Sequence, residues 1–441
     1  MSEASTESKT AFLRQSGWMS AATALGGTTS YAVHLFAKDM PDTEYGAFTT
    51  MLQLLNLIAI PAIGLQAVFA IKAAERKTEA DDFRIAREQF GIIMVVLAVM
   101  LVVFGLIYLN QTTIVTSLKL PSIQVFVITL TAGIFALLLP MVYGVLQGKQ
   151  YFLWLGWATL SLGAVRLAAL FGLFKLRDPS ALYGMLAVGL GFAFAFGLAI
   201  SRAGLPKLHP IEWLSSVKRV DWRELTRQFI PLSVGAGAVI YMMSVDMVIV
   251  QRFFNEKQTG FYAAAGMIGR ALIFFVGPMV AVMFPKIVRS RAEQKPTDIL
   301  KFTILLTGGL CVTAVTLGIL LPELPLRIIY DEPYLKAAPL IPWFIAAMVP
   351  LALAAVLVNN LLAQKYYHSV YGLAGVCLAY TFALWHFAPK LAEQTAADFN
   401  VLAYIGVVKI IGLSNLAFLG VAGLFTYLCQ KSQVIAAGEE H

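Results

Sequence analysis

Charged residues are scarce in this chain, and their scarcity excludes a water-soluble globular enzyme. Only 13% of the 441 residues are Asp, Glu, Lys or Arg, whereas 59% are hydrophobic. Soluble domains carry about 25% charged and about 45–50% apolar residues. Because a transmembrane helix takes about 20 apolar residues, the apolar content accommodates about 12 such helices and leaves little chain for a domain outside the membrane.

Cysteine pairs and catalytic motifs are also missing. Cys311, Cys377 and Cys429 lie within apolar stretches and form no Cys-x-x-Cys pair, so neither a disulfide framework nor a cysteine metal site is indicated. Gly144, Gly148 and Lys149 lack the spacing of a nucleotide-binding P-loop and the Ser or Thr that follows it. HExxH, GxSxG and paired-carboxylate patterns are absent as well. We therefore expect neither enzymatic activity nor a cofactor.

Long apolar runs separated by short polar segments predict an all-α, polytopic membrane protein. The segment MSEASTESKT is polar and partly acidic, and it lacks the basic start and the small-residue cleavage site of a signal peptide, so the first run is expected to remain as an anchor. Helices are predicted at 11–36, 45–72, 90–110, 121–147, 152–175, 180–202, 228–253, 259–287, 299–320, 335–363, 367–388 and 400–429.

The positive charges indicate how the chain is oriented. With both termini on one side, that side holds 21 Lys and Arg residues and the opposite side holds nine. Cytoplasmic loops retain such residues, so both termini are predicted to be cytoplasmic. The net charge of +8 then reflects topology and attraction to anionic membrane lipids, and no nucleic-acid partner is expected.

The helices fall into two sets of six. We predict an N-terminal bundle at 1–208, a cytoplasmic or interfacial linker at 209–227 and a C-terminal bundle at 228–441. The segment at 209–229 contains two tryptophans and five basic residues, which favour an interfacial helix, although a plain solvated linker is an equal alternative.

An internal repeat is suggested by shifting the chain by 214 residues. The shift places Gly46 on Gly260 and Lys72 on Lys286, each at the same point of its helix. Identity is near the level of chance, so the matching hydropathy and loop charge carry more weight. Two halves of six helices share one orientation, which predicts an axis along the membrane normal, as in transporters.

Four ionisable residues stand out because they lie deep within predicted helices. Such a residue costs several kcal/mol unless it faces a cavity or a partner, so each is a functional candidate. Arg270 and Lys409 are predicted near mid-depth, and Arg166 and Asp246 nearer the exported face. Three cations suit an anionic substrate such as a phosphate or pyrophosphate. The alternative is a structural pair, in which Asp246 neutralises Arg270 or Lys409.

The second predicted helix carries polar side chains within an apolar segment. Gln53, Asn56 and Gln66 are spaced along it, with Pro61 and Gly64 between them. Polar residues in lipid face a bundle interior, and proline with glycine permits bending. We expect this helix to line a substrate path; packing against neighbouring helices is the alternative. The 214-residue shift places Asn56 on Arg270.

The run SVDMVIVQRFFNEKQTGFYAAAGMIGRALIFFVGPMVAVMFPKIVRS, at 244–290, resembles the polysaccharide-transporter branch of the multidrug/oligosaccharidyl-lipid/polysaccharide exporter superfamily. The features that match are an aspartate in the seventh helix, a TGFY turn, GMIGR and a terminal FPKI, with support from KDMPDTEYGAF at 38–48 and YGVLQGKQYFLWLG at 143–156. The resemblance implies two six-helix bundles around a central cavity that work by alternating access.

The resemblance also implies a function. The implied protein is a flippase that moves undecaprenyl-pyrophosphate-linked oligosaccharide from the cytoplasmic to the outer leaflet. In this resemblance, Arg270 is similar to an arginine of the peptidoglycan-precursor branch. The chain differs from that branch in having Asn56 at mid-depth and no deep arginine in the first helix, which favours an O-antigen, capsule or exopolysaccharide unit. The candidate substrate-binding residues are Arg270, Lys409, Arg166, Asp246, Asn56 and Gln53.

Two other functions remain open. A cation-coupled multidrug exporter of the same fold would use Asp246, although such exporters usually have a carboxylate cluster that the first helix here lacks. A non-transporting membrane subunit of a polysaccharide synthase is the other. We expect a monomer in the bacterial cytoplasmic (inner) membrane, with a polysaccharide polymerase or glycosyltransferases as partners.

Overall fold

The regular structure of the described residues is entirely helical. The computed structural model describes residues 18–439 apart from 19–20, 23–24, 31, 38, 77, 204–216, 219, 293–298, 331 and 395–399. Helix α1 is described at 25–30 and 32–37. The others are α2 (Asp42–Ile58), α3 (Ile60–Ala74), α4 (Glu79–Leu109), α5 (Gln111–Leu118), α6 (Ile123–Gly148), α7 (Phe152–Leu176), α8 (Ala181–Ala203), α9 (Trp222–Phe253), α10 (Glu256–Ala292), α11 (Ile299–Leu320), α12 (Leu324–Ile329), α13 (Ile341–Ala363), α14 (Ser369–Glu393) and α15 (Val401–Glu439).

The helices confirm the prediction of an all-α, multi-pass membrane protein. Within the described residues, 11 helical segments are long and apolar enough to cross a membrane, and each coincides with a predicted helix. The remaining predicted helix, at 11–36, lies partly outside the described residues. Apolar side chains such as Leu101 and Leu305 are 74% exposed, which suits a hydrocarbon environment and not water.

The second predicted helix is broken in the structure. Helix α2 ends at Ile58 and α3 starts at Ile60, with Pro61 in its first turn. Proline has no N–H to donate to the carbonyl four residues earlier, and its ring crowds that carbonyl, so a helix breaks or bends just before it. The interruption is a single residue, Ala59, whose backbone stays in the right-handed helical region, and the bending expected at this proline stays a prediction.

The chain divides into two compact units, and two of the three boundaries between them fall within helices. The first unit comprises Met1–Met40 and Ile58–Ser233, and the second comprises Pro41–Leu57 and Val234–His441. Compared with the predicted bundles, α2 thus groups with the C-terminal half of the chain. The predicted linker at 209–227 lies partly outside the described residues, and the division into six-helix bundles stays a prediction.

Close backbone contact holds α3 and α6 together in the first unit. A Cβ placed on Gly144 would lie 2.2 Å from the carbonyl oxygen of Gln66, and one on Gly148 would lie 2.4 Å from that of Ala70. These two glycines form a GxxxG pattern, which brings membrane helices together because neither residue has a side chain. The first unit packs its core around this helix pair.

Ion pairs join the adjoining ends of α3, α4 and α6. Lys72 forms an ion pair with Glu88. The Asp82 carboxylate pairs with two cations: its Oδ2 atom lies 2.7 Å from Nη1 of Arg76, and its Oδ1 atom lies 2.8 Å from Nζ of Lys149. The charge count predicts that these ends are cytoplasmic. Since the groups are partly exposed, each pair is worth only about 0–1 kcal/mol.

Candidate functional site

The two ionisable residues that the sequence places in α9 and α10 form a buried ion pair. The Arg270 Nη2 atom lies 2.5 Å from the Asp246 Oδ2 atom. The side chain of Arg270 is 4% exposed and that of Asp246 is fully buried. Of the two roles predicted for Asp246, neutralising Arg270 is therefore observed in the structure. Buried charges persist at such positions because a partner and hydrogen bonds offset the cost of desolvation.

Further hydrogen bonds fix this pair. Arg270 donates from Nε to the carbonyl oxygen of Met243 at 2.8 Å, and the Tyr262 hydroxyl donates to Asp246 Oδ2 at 2.6 Å. The second carboxylate oxygen, Oδ1, is buried and accepts no hydrogen bond from the described residues. The hydroxyl of Tyr380, on α14, is likewise buried without a hydrogen-bond partner among those residues.

Two glycines of the GMIGR motif make room for the arginine. A Cβ on Gly266 would lie 2.5 Å from Arg270 Nη1, and a Cβ on Gly269 would lie 2.8 Å from the Cβ of Phe344. The Arg270 guanidinium carbon lies 5.8 Å from the centre of the Phe344 ring. The motif therefore lets the guanidinium fold back along α10 toward Asp246 while α13 packs closely beside it.

Lys409 occupies a different environment from Arg270. Its side chain is exposed on α15, and its Nζ atom lies 5.3 Å from the ring centre of Trp343, which is itself 44% exposed. An ammonium at this distance from an aromatic face is attracted by the ring quadrupole. Among the described residues, the structure shows no ion pair between Lys409 and Asp246.

Arg166 is the one candidate that lies in the first unit. It is half-buried on α7, and its Nε atom is buried with no hydrogen-bond partner among the described residues. A Cβ on Gly191 of α8 would lie 2.9 Å from the Cβ of Arg166, so the base of the side chain is held against a neighbouring helix. The other five candidates belong to the second unit.

The polar residues of α2 and α3 also separate. Asn56 donates to the side-chain oxygen of Gln53 at 3.2 Å, and both are half-buried on α2 in the second unit. Gln66 lies on α3 in the first unit, where it donates to the Gln147 side chain at 3.4 Å. The structure therefore brings Gln53 and Asn56 together, and Gln66 belongs to the other unit.

The described residues do not form a recognisable metal site. They contain no group of three or more His, Cys, Asp or Glu side chains that could hold a metal ion. The ammonium of Lys409 is exposed, whereas Arg270 is paired with the carboxylate of Asp246. Substrate binding by any of the six candidates stays a prediction.

Comparison with protein families gives a match in the N-terminal and central parts of the chain. The profile of the family described as "Polysaccharide biosynthesis protein" matches residues 18–291, which is more than half of the chain. A comparison with curated proteins found no match.

Several solved structures share the fold. A multidrug resistance MATE family transporter of the MOP superfamily, in an inward-facing conformation, is 12% identical with a TM-score of 0.71, covering 93% of this chain and 95% of its own. The lipid II flippase MurJ is 14% identical with a TM-score of 0.67, covering 96% and 91%. A MOP superfamily transporter from Pyrococcus furiosus is 13% identical with a TM-score of 0.63, covering 94% and 95%. At these identities the likeness shows the fold alone.

Proposed function

We propose a function from one premise: the chain belongs to the polysaccharide biosynthesis protein family, within the polysaccharide-transporter branch of the multidrug/oligosaccharidyl-lipid/polysaccharide exporter superfamily. It is a flippase that carries an undecaprenyl-pyrophosphate-linked oligosaccharide from the cytoplasmic to the outer leaflet. The observation that carries the proposal is the family match over residues 18–291, in a chain with the fold of a known lipid flippase.

The first contact of the substrate phosphates is assigned to Lys409. Its ammonium is exposed beside the face of Trp343, so a phosphate can pair with the cation while a sugar ring packs on the indole. Arg270 is already paired with Asp246, so a phosphate would compete with that carboxylate for the guanidinium. Gln53 and Asn56 offer amide groups of the kind that bind sugar hydroxyls.

The membrane potential supplies a driving force for this transport. An inside-negative potential favours outward movement of anions by about 2.3 kcal/mol per charge per 100 mV. If the charge of the pyrophosphate moves with the substrate, no nucleotide hydrolysis is needed, which suits the missing P-loop. A counter-ion would reset the empty carrier. The carrier works in the bacterial inner membrane with both termini in the cytoplasm, beside the polymerase and glycosyltransferases that make and use its substrate.

The test is complementation of a strain that lacks this protein and loses its surface polysaccharide. We expect Lys409→Ala to reduce the surface polymer at least about tenfold, since the loss of one charge-assisted hydrogen bond is worth about 1.5–3 kcal/mol. Lys409→Arg keeps the charge and is the matched control, which should restore the polymer. Immunoblots fix the amount of protein in each strain. Full restoration by Lys409→Ala at equal protein level would refute the assignment.

A cation-coupled exporter is the second candidate, and one observation favours it. Asp246 is a buried carboxylate with one oxygen that accepts no hydrogen bond from the described residues. The same deletion strain separates the two functions. Increased sensitivity to cationic drugs with normal polysaccharide would support the exporter, and lipid-linked oligosaccharide accumulating in the cytoplasmic leaflet would support the flippase. A synthase subunit would instead copurify stably with the synthase.

A further inference from the structure

One buried acceptor and one buried donor of the second unit have no hydrogen-bond partner among the described residues. The acceptor is Oδ1 of Asp246 on α9, and the donor is the hydroxyl of Tyr380 on α14. Asp246 is fully buried and Tyr380 is 1% exposed, so water does not reach either side chain from the surface. A buried polar atom without a hydrogen bond costs free energy, and native proteins contain few of them. Both atoms therefore require an explanation.

The two atoms belong to one cluster, because α9 and α14 lie side by side at this depth. The hydroxyls of Tyr241 on α9 and Thr381 on α14 are 2.5 Å apart. Tyr380 precedes Thr381 in the chain, and its hydroxyl interacts electrostatically with the charges of both Asp246 and Arg270. The donor without a partner is thus held close to the acceptor without a partner.

The Asp246 carboxylate uses only one of its oxygens in the ion pair. Its Oδ2 atom accepts Arg270 Nη2 at 2.5 Å and the Tyr262 hydroxyl at 2.6 Å. Each oxygen of an ionised carboxylate can accept about two hydrogen bonds, so Oδ1 has capacity for a further donor. Tyr262 also interacts electrostatically with Tyr380, which places the two hydroxyls around the same carboxylate. The site therefore contains two hydroxyl donors for one charge.

A second donor matters when Arg270 engages an anion. A buried carboxylate that loses its cation is strongly destabilised, because its charge stays buried without compensation. A phosphate that competes for Arg270 imposes this cost on Asp246. A hydroxyl that donates to the ionised carboxylate offsets part of it, since hydrogen bonds to charged groups are about twice as strong as those between neutral groups.

We infer that Tyr380 is a positioning residue that takes over Asp246 when a substrate phosphate draws Arg270 away. Its hydroxyl then donates to Oδ1, and the hydrogen bond breaks when Arg270 returns. The inference rests on the proposed transport function. Because the hydroxyl gains a partner only in the loaded carrier, it stabilises that state relative to the empty one. The exchange keeps the Asp246 charge hydrogen-bonded throughout the cycle.

A double-mutant cycle on the thermal unfolding midpoint tests the exchange without substrate. In the native background, Tyr380→Phe removes a hydroxyl without a partner, so the midpoint should stay within about 1 °C. With Arg270→Met, Tyr380→Phe should lower the midpoint by at least about 2 °C more, because Asp246 then loses a hydrogen bond. Tyr241→Phe is the matched control. Its hydroxyl contacts Thr381 in both backgrounds, so its effect should be the same in both.

Two results of the cycle would overturn the inference. A lower midpoint for Tyr380→Phe with Arg270 present would show that the hydroxyl already has a partner in the empty carrier. Equal effects in the two backgrounds would show that the hydroxyl does not reach Asp246 after the cation has gone. If Arg270→Met yields no folded protein, Arg270→Gln supplies the second background, because it also removes the positive charge.

Surface polysaccharide in the deletion strain tests the use of this exchange in transport. At equal protein level, Tyr380→Phe should reduce the polymer at least about tenfold, whereas Tyr241→Phe should leave it unchanged. Normal polymer with Tyr380→Phe would overturn the role in transport. If the deletion strain keeps its polysaccharide, the proposed substrate fails instead, and the unfolding cycle still decides whether Tyr380 replaces Arg270 at Asp246.

Discussion

Removing one member of the Arg270–Asp246 pair should cost far more than removing both. Arg270→Met leaves a fully buried carboxylate whose remaining hydrogen bond comes from Tyr262. Breaking a buried pair in this way costs about 3–5 kcal/mol, because the other charge stays buried without compensation. The double variant Arg270→Met/Asp246→Leu removes both charges, and such replacements are often neutral or stabilising by about 1–4 kcal/mol. We therefore expect the single variant to unfold at lower temperature and the double variant to recover.

The assay compares the thermal unfolding midpoints of the purified proteins in detergent and their surface polysaccharide in the deletion strain. If Arg270 binds substrate phosphates, the double variant is stable but inactive, whereas a purely structural pair gives a double variant that is stable and active. A single variant as stable as the native protein would refute the claim that the charges stabilise each other. A double variant as unstable as the single one would show that packing, and not charge, causes the loss.

Two further substitutions test neighbouring features. Tyr262→Phe removes the hydroxyl that donates to Asp246 and should lower stability by about 1.5–3 kcal/mol, the worth of a hydrogen bond to a charged group, as measured by the unfolding midpoint; an unchanged midpoint would contradict it. Gly144→Ala puts a methyl group 2.2 Å from a backbone oxygen of α3 and should lower the free energy of unfolding by about 1–3 kcal/mol. Gly105→Ala is the control, because a methyl group there meets nothing within 4 Å. The control should unfold at the native temperature.

Hydropathy was sufficient to predict the helices, because the bilayer imposes one length and one polarity on every span. The helices predicted at 152–175 and 299–320 are observed at Phe152–Leu176 and Ile299–Leu320. The short helices α5 and α12 were not predicted, since segments of eight and six residues give no such signal. The 3-10 segment Glu332–Leu340, in place of the start of the helix predicted at 335–363, was missed for the same reason.

The partners of the candidate site residues could be predicted only in part. The sequence predicts Asp246 as a counter-ion for either Arg270 or Lys409 and does not distinguish the two, because both cations lie at similar predicted depth. The choice depends on helix rotation: Arg270 turns inward through the space left by Gly266, while Lys409 remains exposed beside Trp343. Spacing within GMIGR carried that signal, since a glycine four residues before an arginine lies on the same face of the helix.

The sequence also contains the GxxxG pattern of α6, whose spacing indicates close contact between helices. In the sequence, Gly144 and Gly148 with Lys149 resemble an incomplete P-loop. Their spacing of four residues places both on one face of a helix, where they admit α3 to backbone distance. In a chain this apolar, glycine spacing is better explained first by helix contact and only then by phosphate binding.

The ion pair also constrains how a substrate can use Arg270. An isolated guanidinium at this depth would be costly to bury, and its pairing with Asp246 makes the empty site neutral. A phosphate that binds Arg270 therefore competes with the Asp246 carboxylate for the same cation, so the net gain in free energy is smaller than for an unpaired arginine. A small net gain suits a carrier, because a substrate held too tightly is not released. The exposed Lys409 has no such competing carboxylate among the described residues, and it is therefore the residue where binding should begin.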